Sequence, residues 1–91
     1  MEEKRTRRDI ETKVNDIILS HLNVLADDIR PESKMEGDLG ADSFDGVEIA
    51  VAIEKEFDIH ISDDRLDAMA KATVADIYTM VEHYLIKEDR A

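Results

Sequence analysis

The residues best suited to chemistry lie together in the stretch "GADSFDG", residues 40–46. Ser43 stands between Asp42 and Asp45, directly before a run of apolar residues with helical spacing. A serine in this setting can cap the helix, act as a catalytic nucleophile or serve as a point of covalent attachment. Each role needs different partners, so the rest of the chain indicates which of them is available.

A catalytic role for the serine finds little support in the sequence. A hydrolytic serine needs a base within hydrogen-bond reach and a third group that orients the base. The three histidines, His21, His60 and His83, are scattered and belong to no recognised motif. The stretch also differs from the G-x-S-x-G nucleophile turn, and no strand precedes it. We therefore expect the chain not to be an enzyme.

A metal site is not expected either. The spacing of Asp38, Asp42 and Asp45 does not match a calcium loop, which needs oxygen ligands at positions 1, 3, 5 and 12 with glycine at 6. The chain has no cysteine, which excludes disulfides, thiolate nucleophiles and zinc–thiolate sites. Weak binding of divalent ions to the acidic region is the most that the pattern supports.

Two compatible roles therefore remain for Ser43. As a cap, either Asp42 or Ser43 would satisfy free backbone N–H groups at the start of the second helix. As an attachment point, the hydroxyl would lie exposed at a loop–helix junction. A phosphodiester placed there would meet unpaired N–H groups and the positive end of the helix dipole. The carboxylates of Asp42 and Asp45 would partly oppose it by repulsion.

Composition and charge limit the fold and the partners. The 91 residues suit one domain, and with 43% hydrophobic but only 4% aromatic residues the core must be aliphatic. The net charge is −11, and residues 27–67 hold 14 acidic and four basic residues. Such a field repels nucleic acids and anionic membranes and attracts basic protein surfaces. Since no apolar run approaches the length of a membrane span, we expect a cytoplasmic protein without membrane insertion.

Four amphipathic segments predict an all-α fold. The later helices follow capping residues, namely Asp42 or Ser43, Ser62 or Asp63, and Thr73. The connection between the first two helices is long enough to be an ordered functional loop. The predicted segments are a helix at 7–22, a loop at 23–42, a helix at 43–56, an extended linker at 57–62, a short third helix and a last helix at 74–87.

The segment "GDLGADSFDGVEIAVAIEKEFDIHISDD", residues 37–64, resembles the prosthetic-group region of acyl carrier proteins. The usual form there is close to D-L-G-x-D-S-L-D, followed by a V-E-(L/I) helix and an E-x-E-F stretch. The similarity covers roughly residues 9–87 and includes the long loop and the last helix. It implies an acyl-carrier-like four-helix bundle with three longer helices, between a charged leader at 1–8 and a tail at 88–91.

The resemblance implies a covalent cofactor. Ser43 would receive 4'-phosphopantetheine from coenzyme A through a separate phosphopantetheinyl transferase, with Asp42 and Phe44 flanking it in the cofactor-binding motif. The thiol of the arm would then carry acyl groups as thioesters, which fits a chain that has no cysteine of its own. The expected partners are the transferase and acyl-loading and acyl-processing enzymes with basic docking surfaces, which would meet a monomeric carrier.

The resemblance also implies a docking face on the second helix, where acidic residues meet basic enzyme surfaces and apolar residues lie beside the arm. Such a face accelerates encounter and selects partners more than it adds affinity. An ordinary solvated helix face is the alternative interpretation. The predicted docking residues are Asp45, Val47, Glu48, Glu54 and Glu56.

An acyl chain buried between the helices would gain roughly 0.8 kcal/mol per methylene. Small alanines and an adaptable methionine would let such a space expand. The same residues suit an ordinary aliphatic core, and neither interpretation is preferred over the other. The candidate pocket residues are Ala50, Val51, Ile53, Ile61, Leu66, Met69, Ala70 and Tyr78.

Three departures from the common pattern leave the pathway open. Phe44 replaces the usual leucine, and the stretch 68–73 is longer than in the common form. Gly46 costs about 1 kcal/mol relative to alanine inside a helix, which indicates either close approach of a partner or drift. Fatty acid, other lipid and polyketide synthesis all fit. A peptidyl carrier and an unmodified acidic helical adaptor are the alternatives.

Overall fold

The computed structural model describes residues 6–89, with side chains described for residues 6–86. Within this range the chain forms four α-helices, which confirms the predicted all-α bundle with a short third helix and a long first loop. Two short 3-10 turns accompany them, Ala26–Asp28 in the first loop and Met69–Lys71 after the third helix. The helices are α1 (Arg7–His21), α2 (Ser43–Phe57), α3 (Asp63–Ala68) and α4 (Val74–Asp89).

The helices enclose one aliphatic core, as the composition predicts. On α1, Ile10, Val14 and Ile18 are completely buried because their spacing of four residues places them on one side of the helix. In the linker after α2, Ile59 and Ile61 are also buried. The other helices contribute Ile49, Ala50, Ile53, Phe57, Val74, Ile77, Val81 and Leu85.

The loop between α1 and α2 is ordered and held against the start of α4. The N–H of Met35 donates to the carbonyl of Ala72 at 3.0 Å, and the N–H of Val74 donates to the carbonyl of Ser33 at 2.9 Å. Met35 is completely buried and Leu39 is 5% exposed. The loop is therefore ordered, as predicted, and its apolar residues pack into the core.

The two later helices begin in different ways. Thr73 caps α4 as predicted: its Oγ1 accepts from the N–H of Asp76, whose carboxylate accepts from the N–H of Thr73, both at 3.1 Å. Ser62 precedes α3, but its side chain makes no capping hydrogen bond. Instead, the hydroxyl of Tyr84 accepts from the N–H of Ser62 at 3.3 Å, and the guanidinium of Arg65 lies 5.9 Å from the Tyr84 ring.

The first and last helices extend into the predicted leader and tail. The helical α1 begins at Arg7, which pairs with Glu82 at 2.9 Å and lies 5.6 Å from the ring of Tyr78. The last two residues of the predicted leader 1–8 therefore belong to the bundle. Likewise α4 continues to Asp89, into the predicted tail. The remainder of the leader and of the tail, residues 1–5 and 90–91, lies outside the described residues.

A close contact within the chain explains why position 46 is a glycine. A Cβ atom built on Gly46 would lie 3.0 Å from the backbone nitrogen of Ala70 and 3.3 Å from its Cα. The first turn of α2 therefore packs directly against the backbone of the second 3-10 turn, Met69–Lys71. Neither of the two explanations expected from the sequence, a partner or drift, is needed.

A hydrogen bond joins α1 to α4 at the edge of the core. The hydroxyl of Tyr78 donates to Oδ1 of Asn15 at 2.6 Å, and the tyrosine is 3% exposed. Burial raises the pKa of Tyr78 above its ordinary value of 10.0.

None of the described helices is both long and apolar enough to cross a bilayer.

Replacing Gly46 by alanine tests the backbone contact. We expect Gly46→Ala to lower the free energy of unfolding by about 1–2 kcal/mol, because the overpacking outweighs the better helix propensity of alanine. Urea unfolding followed by circular dichroism measures the change. Gly37→Ala is the matched control, since its Cβ would meet only the Lys34 side chain at 3.6 Å. Equal effects of the two substitutions would contradict the contact.

Replacing Tyr78 by phenylalanine tests the link between α1 and α4. At neutral pH, Tyr78→Phe should lower the free energy of unfolding by about 1 kcal/mol, because it removes the hydrogen bond to Asn15. The folded-state pKa of Tyr78 exceeds its unfolded value, so its protonated form stabilises the fold below pH 10.0 and this contribution is lost as pH rises further. Urea unfolding on both sides of pH 10.0 measures this. As pH rises, the free energy of unfolding should fall more steeply for the wild type and for the control Tyr84→Phe than for Tyr78→Phe.

Candidate functional site

The segment that leads into α2 takes a defined path. Gly40 has a φ of 76°, a left-handed conformation that glycine adopts readily. The N–H of Gly40 donates to the carbonyl of Glu36 at 3.1 Å, and the N–H of Ala41 donates to the carbonyl of Met35 at 2.9 Å. Ala41 is 1% exposed. These contacts anchor the residues just before the serine to the ordered loop.

Asp42 and Asp45 cap α2 reciprocally. The carboxylate of Asp42 accepts from the N–H of Asp45 at 2.8 Å, and the carboxylate of Asp45 accepts from the N–H of Asp42 at 3.1 Å. This is a capping box with aspartate in both positions. Of the two capping residues that the sequence allows, the structure uses Asp42, while Ser43 is the first residue of the helix.

Ser43 is exposed at this junction, and its hydroxyl is not needed for the cap. Among the described residues, no hydrogen bond engages that hydroxyl or the backbone N–H groups of Ser43 and Phe44. The two neighbouring carboxylates are both engaged with backbone N–H groups. The result is an accessible hydroxyl beside free donors at the positive end of a helix, which suits a phosphate group.

Part of the predicted docking set forms one stripe on the outside of α2. Phe44 is 68% exposed and Val51 is 38% exposed. Val47 is half-buried between them and Glu48 is exposed. The spacing of three and four residues places all four on one side of the helix. We call Phe44, Val47, Glu48 and Val51 the outer stripe, which combines an apolar surface with a carboxylate.

The other acidic docking candidates lie elsewhere. The carboxylate of Glu54 accepts from the N–H of Ile61 at 2.7 Å, so this residue holds the linker after α2. Glu56 forms a 3.0 Å ion pair with Lys13 of α1. Asp45 belongs to the capping box. The acidic surface of the outer stripe therefore rests on Glu48 rather than on a row of glutamates.

Most of the predicted pocket residues pack in the core. Val51 lies on the outer stripe and not among these core residues, so its role as a pocket residue stays a prediction of the sequence. Tyr78 turns its hydroxyl towards Asn15 of α1, and Leu66 is half-buried against the core. Ala50, Ile53, Ile61, Met69 and Ala70 are each at most 5% exposed.

A cleft of about 120 Å³ lies between α3, the second 3-10 turn and α4. Of the predicted pocket residues, only Met69 lines it. The remaining lining residues are not among the predicted ones. The spacing of three residues between Ile77 and Met80 places both on one side of α4 and is a signal that the sequence contains. The cleft is lined by Arg65, Ala68, Met69, Ala72, Asp76, Ile77 and Met80.

Known proteins resemble this chain over most of its length. The family described as the phosphopantetheine attachment site matches residues 12–81. An acyl carrier protein of Sulfurovum sp. (strain NBC37-1) is 43% identical over 70 residues, which cover 77% of this chain and 91% of the relative. An acyl carrier protein of Chlorobium phaeobacteroides is 49% identical over 69 residues, 76% of this chain and 86% of the relative. Since these matches span most of the chain and include Ser43 with its capping box, the chain belongs to the acyl carrier protein family.

Proposed function

We propose that Ser43 is the residue of this carrier protein to which 4'-phosphopantetheine is attached. The observation that carries the proposal is an exposed hydroxyl, free of any capping role, on the first residue of α2. The group supplies a thiol on which acyl chains are held as thioesters, and the chain itself has no cysteine that could do so. The protein carries intermediates, and partner enzymes perform the reactions.

The attachment reaction needs only the hydroxyl of Ser43 from this chain. Its oxygen attacks the phosphorus of coenzyme A that bears the pantetheine unit, and the bond to the adjacent phosphate breaks. Adenosine 3',5'-bisphosphate leaves, and the proton of the hydroxyl passes to a base of the transferase. The free N–H groups of Ser43 and Phe44 would be available to bind the phosphodiester. Asp42 keeps the helix start in place through its bond to Asp45.

The partners that fit the surface are enzymes with a basic rim and an apolar recess. Glu48 supplies the charge and Phe44 supplies the large apolar side chain, 68% exposed, directly beside Ser43. Together with the net charge of −11, this favours a phosphopantetheinyl transferase and acyl-processing enzymes whose docking sites are positive. We assign the carrier to acyl-chain synthesis of the fatty acid, lipid or polyketide type. A cytoplasmic location stays a prediction of the sequence.

Intact-mass measurement tests the attachment site. After incubation with coenzyme A and a broad-specificity phosphopantetheinyl transferase, the wild type should gain the mass of one phosphopantetheine and Ser43→Ala should gain none. Ser62→Ala is the matched control, because Ser62 is also an exposed serine at the start of a helix. It should be modified like the wild type. A wild type that several such transferases leave unmodified would favour the unmodified helical adaptor.

Charge reversal on the outer stripe tests the docking role. We expect Glu48→Lys to lower kcat/KM of the transferase about threefold to tenfold, mainly through slower association, and to reduce its dependence on salt. Asp16→Lys is the control, since it makes the same change in net charge on the exposed face of α1. Equal losses in both variants would indicate that only net charge matters and would remove the assigned role of Glu48.

A further inference from the structure

A groove runs along α2 beside the outer stripe, where the end of α1 faces α2. Its volume is about 350 Å³. Three residues of the outer stripe belong to its wall, so the groove and the outer stripe form one continuous surface. We call it the lysine groove. It is lined by His21, Val47, Glu48, Val51, Ala52 and Lys55.

The α2 wall of the lysine groove carries opposite charges at its two ends. Glu48 and Lys55 are both exposed and stand seven residues apart, which is two helical turns or roughly 10 Å along the axis. Among the residues whose side chains are described, Lys55 takes part in no ion pair. It is also one of only four basic residues in the region 27–67, which holds 14 acidic ones. The groove therefore offers an unpaired cation within an acidic surface.

His21 provides a second polar atom on the α1 wall. Its Nδ1 lies 2.9 Å from the carbonyl oxygen of Ile17. Since a carbonyl oxygen only accepts, Nδ1 carries the proton and donates it. The other ring nitrogen, Nε2, has no hydrogen-bond partner within the described part of the chain. The fold therefore uses one side of the imidazole and leaves the other available to an occupant of the groove.

An enzyme that reaches Ser43 across the outer stripe also covers Lys55. The two residues are 12 positions apart on α2, roughly 18 Å along the helix axis. An interface of ordinary size buries about 800 Å² of each partner, which is a patch roughly 30 Å across. A cation covered in this way without a counter-charge is costly, and a basic surface placed over it adds repulsion. The partner therefore needs an acidic group at this point.

Lys55 has one structural task that must be kept apart from docking. It lies in the last turn of α2, where a cation stabilises the negative end of the helix dipole. That task requires a positive charge near the helix end and makes no demand on a partner enzyme. The two roles therefore differ in what they predict for the kinetics of a docked enzyme.

We infer that the lysine groove receives a carboxylate side chain of the enzyme docked on the outer stripe, with Lys55 as its ion-pair partner. This inference rests on the docking role proposed above. The matching enzyme surface is basic opposite Glu48 and acidic opposite Lys55. Two opposite charges fix the direction in which the enzyme lies along α2. They also disfavour enzymes whose docking rim is basic throughout.

Reversing the charge of Lys55 tests the inference by the sign of the effect. With the transferase that modifies the wild type at the highest kcat/KM, Lys55→Glu should lower kcat/KM about threefold to tenfold, mainly through a higher KM. A uniformly basic partner would instead bind the more acidic variant faster and raise kcat/KM. Arg8→Glu is the matched control, because it makes the same charge change at an exposed position at the opposite end of α1 from His21. It should not lower kcat/KM.

A neutral substitution separates docking from the helix dipole. Lys55→Gln removes the cation, adds no carboxylate and keeps a good helix former in α2. It should lower kcat/KM about twofold, and urea unfolding shows that the variant is folded under the assay conditions. If Lys55→Glu does not fold, Lys55→Gln decides the question. Unchanged or raised kcat/KM in the folded variants would overturn the inference.

Cross-linking tests the contact itself. A carbodiimide joins a lysine amine to a carboxylate that it touches. In the complex of Ser43→Ala with the same transferase and coenzyme A, it should form an amide between Lys55 and an aspartate or glutamate of the transferase, identified by mass spectrometry of the peptides. Absence of this cross-link would overturn the inference, while a wild type modified at Ser43 would leave the proposed function standing. Failure of the wild type to accept the arm would overturn both.

Discussion

The reciprocal hydrogen bonds between Asp42 and Asp45 determine where α2 begins, and the candidate site depends on that position. They satisfy the helix start with the residues on either side of Ser43. The serine hydroxyl is thereby left unused at the first helical position. If the serine itself capped the helix, its oxygen would be engaged with the backbone. The two aspartates therefore cap the helix and leave the serine hydroxyl free for the attachment proposed above.

The two faces of α2 have different surroundings. Its outer stripe exposes Phe44 and Glu48, while its inner side is buried in the core. Gly46 brings the backbone of the second 3-10 turn against the first turn of α2. This contact joins the start of α2 to the turn that follows α3, a helix that has no buried residue of its own. Ser43, Gly46 and most of the outer stripe thus lie in the first two turns of α2.

The sequence predicts the helices well because aliphatic spacing and capping residues are local signals. The ordered loop could also be predicted, since Met35 and Leu39 stand out as apolar residues within it. The direction in which individual side chains point could not be predicted. Val51 belongs to a helix face that periodicity alone does not orient, and Glu54 turns towards Ile61 because the chain bends back after α2. The contact that explains the glycine at position 46 is with Ala70, 24 positions along the chain, and no local pattern reveals a contact at that separation.

Attachment of the arm at Ser43 can be tested directly by one tryptic digestion. Trypsin cleaves after Lys34 and Lys55, and the resulting peptide 35–55 contains Ser43 as its only serine, with no threonine or tyrosine. Tandem mass spectrometry of the protein after treatment with coenzyme A and transferase should find phosphopantetheine in this peptide and in no other. Phosphopantetheine on a different peptide would contradict the account.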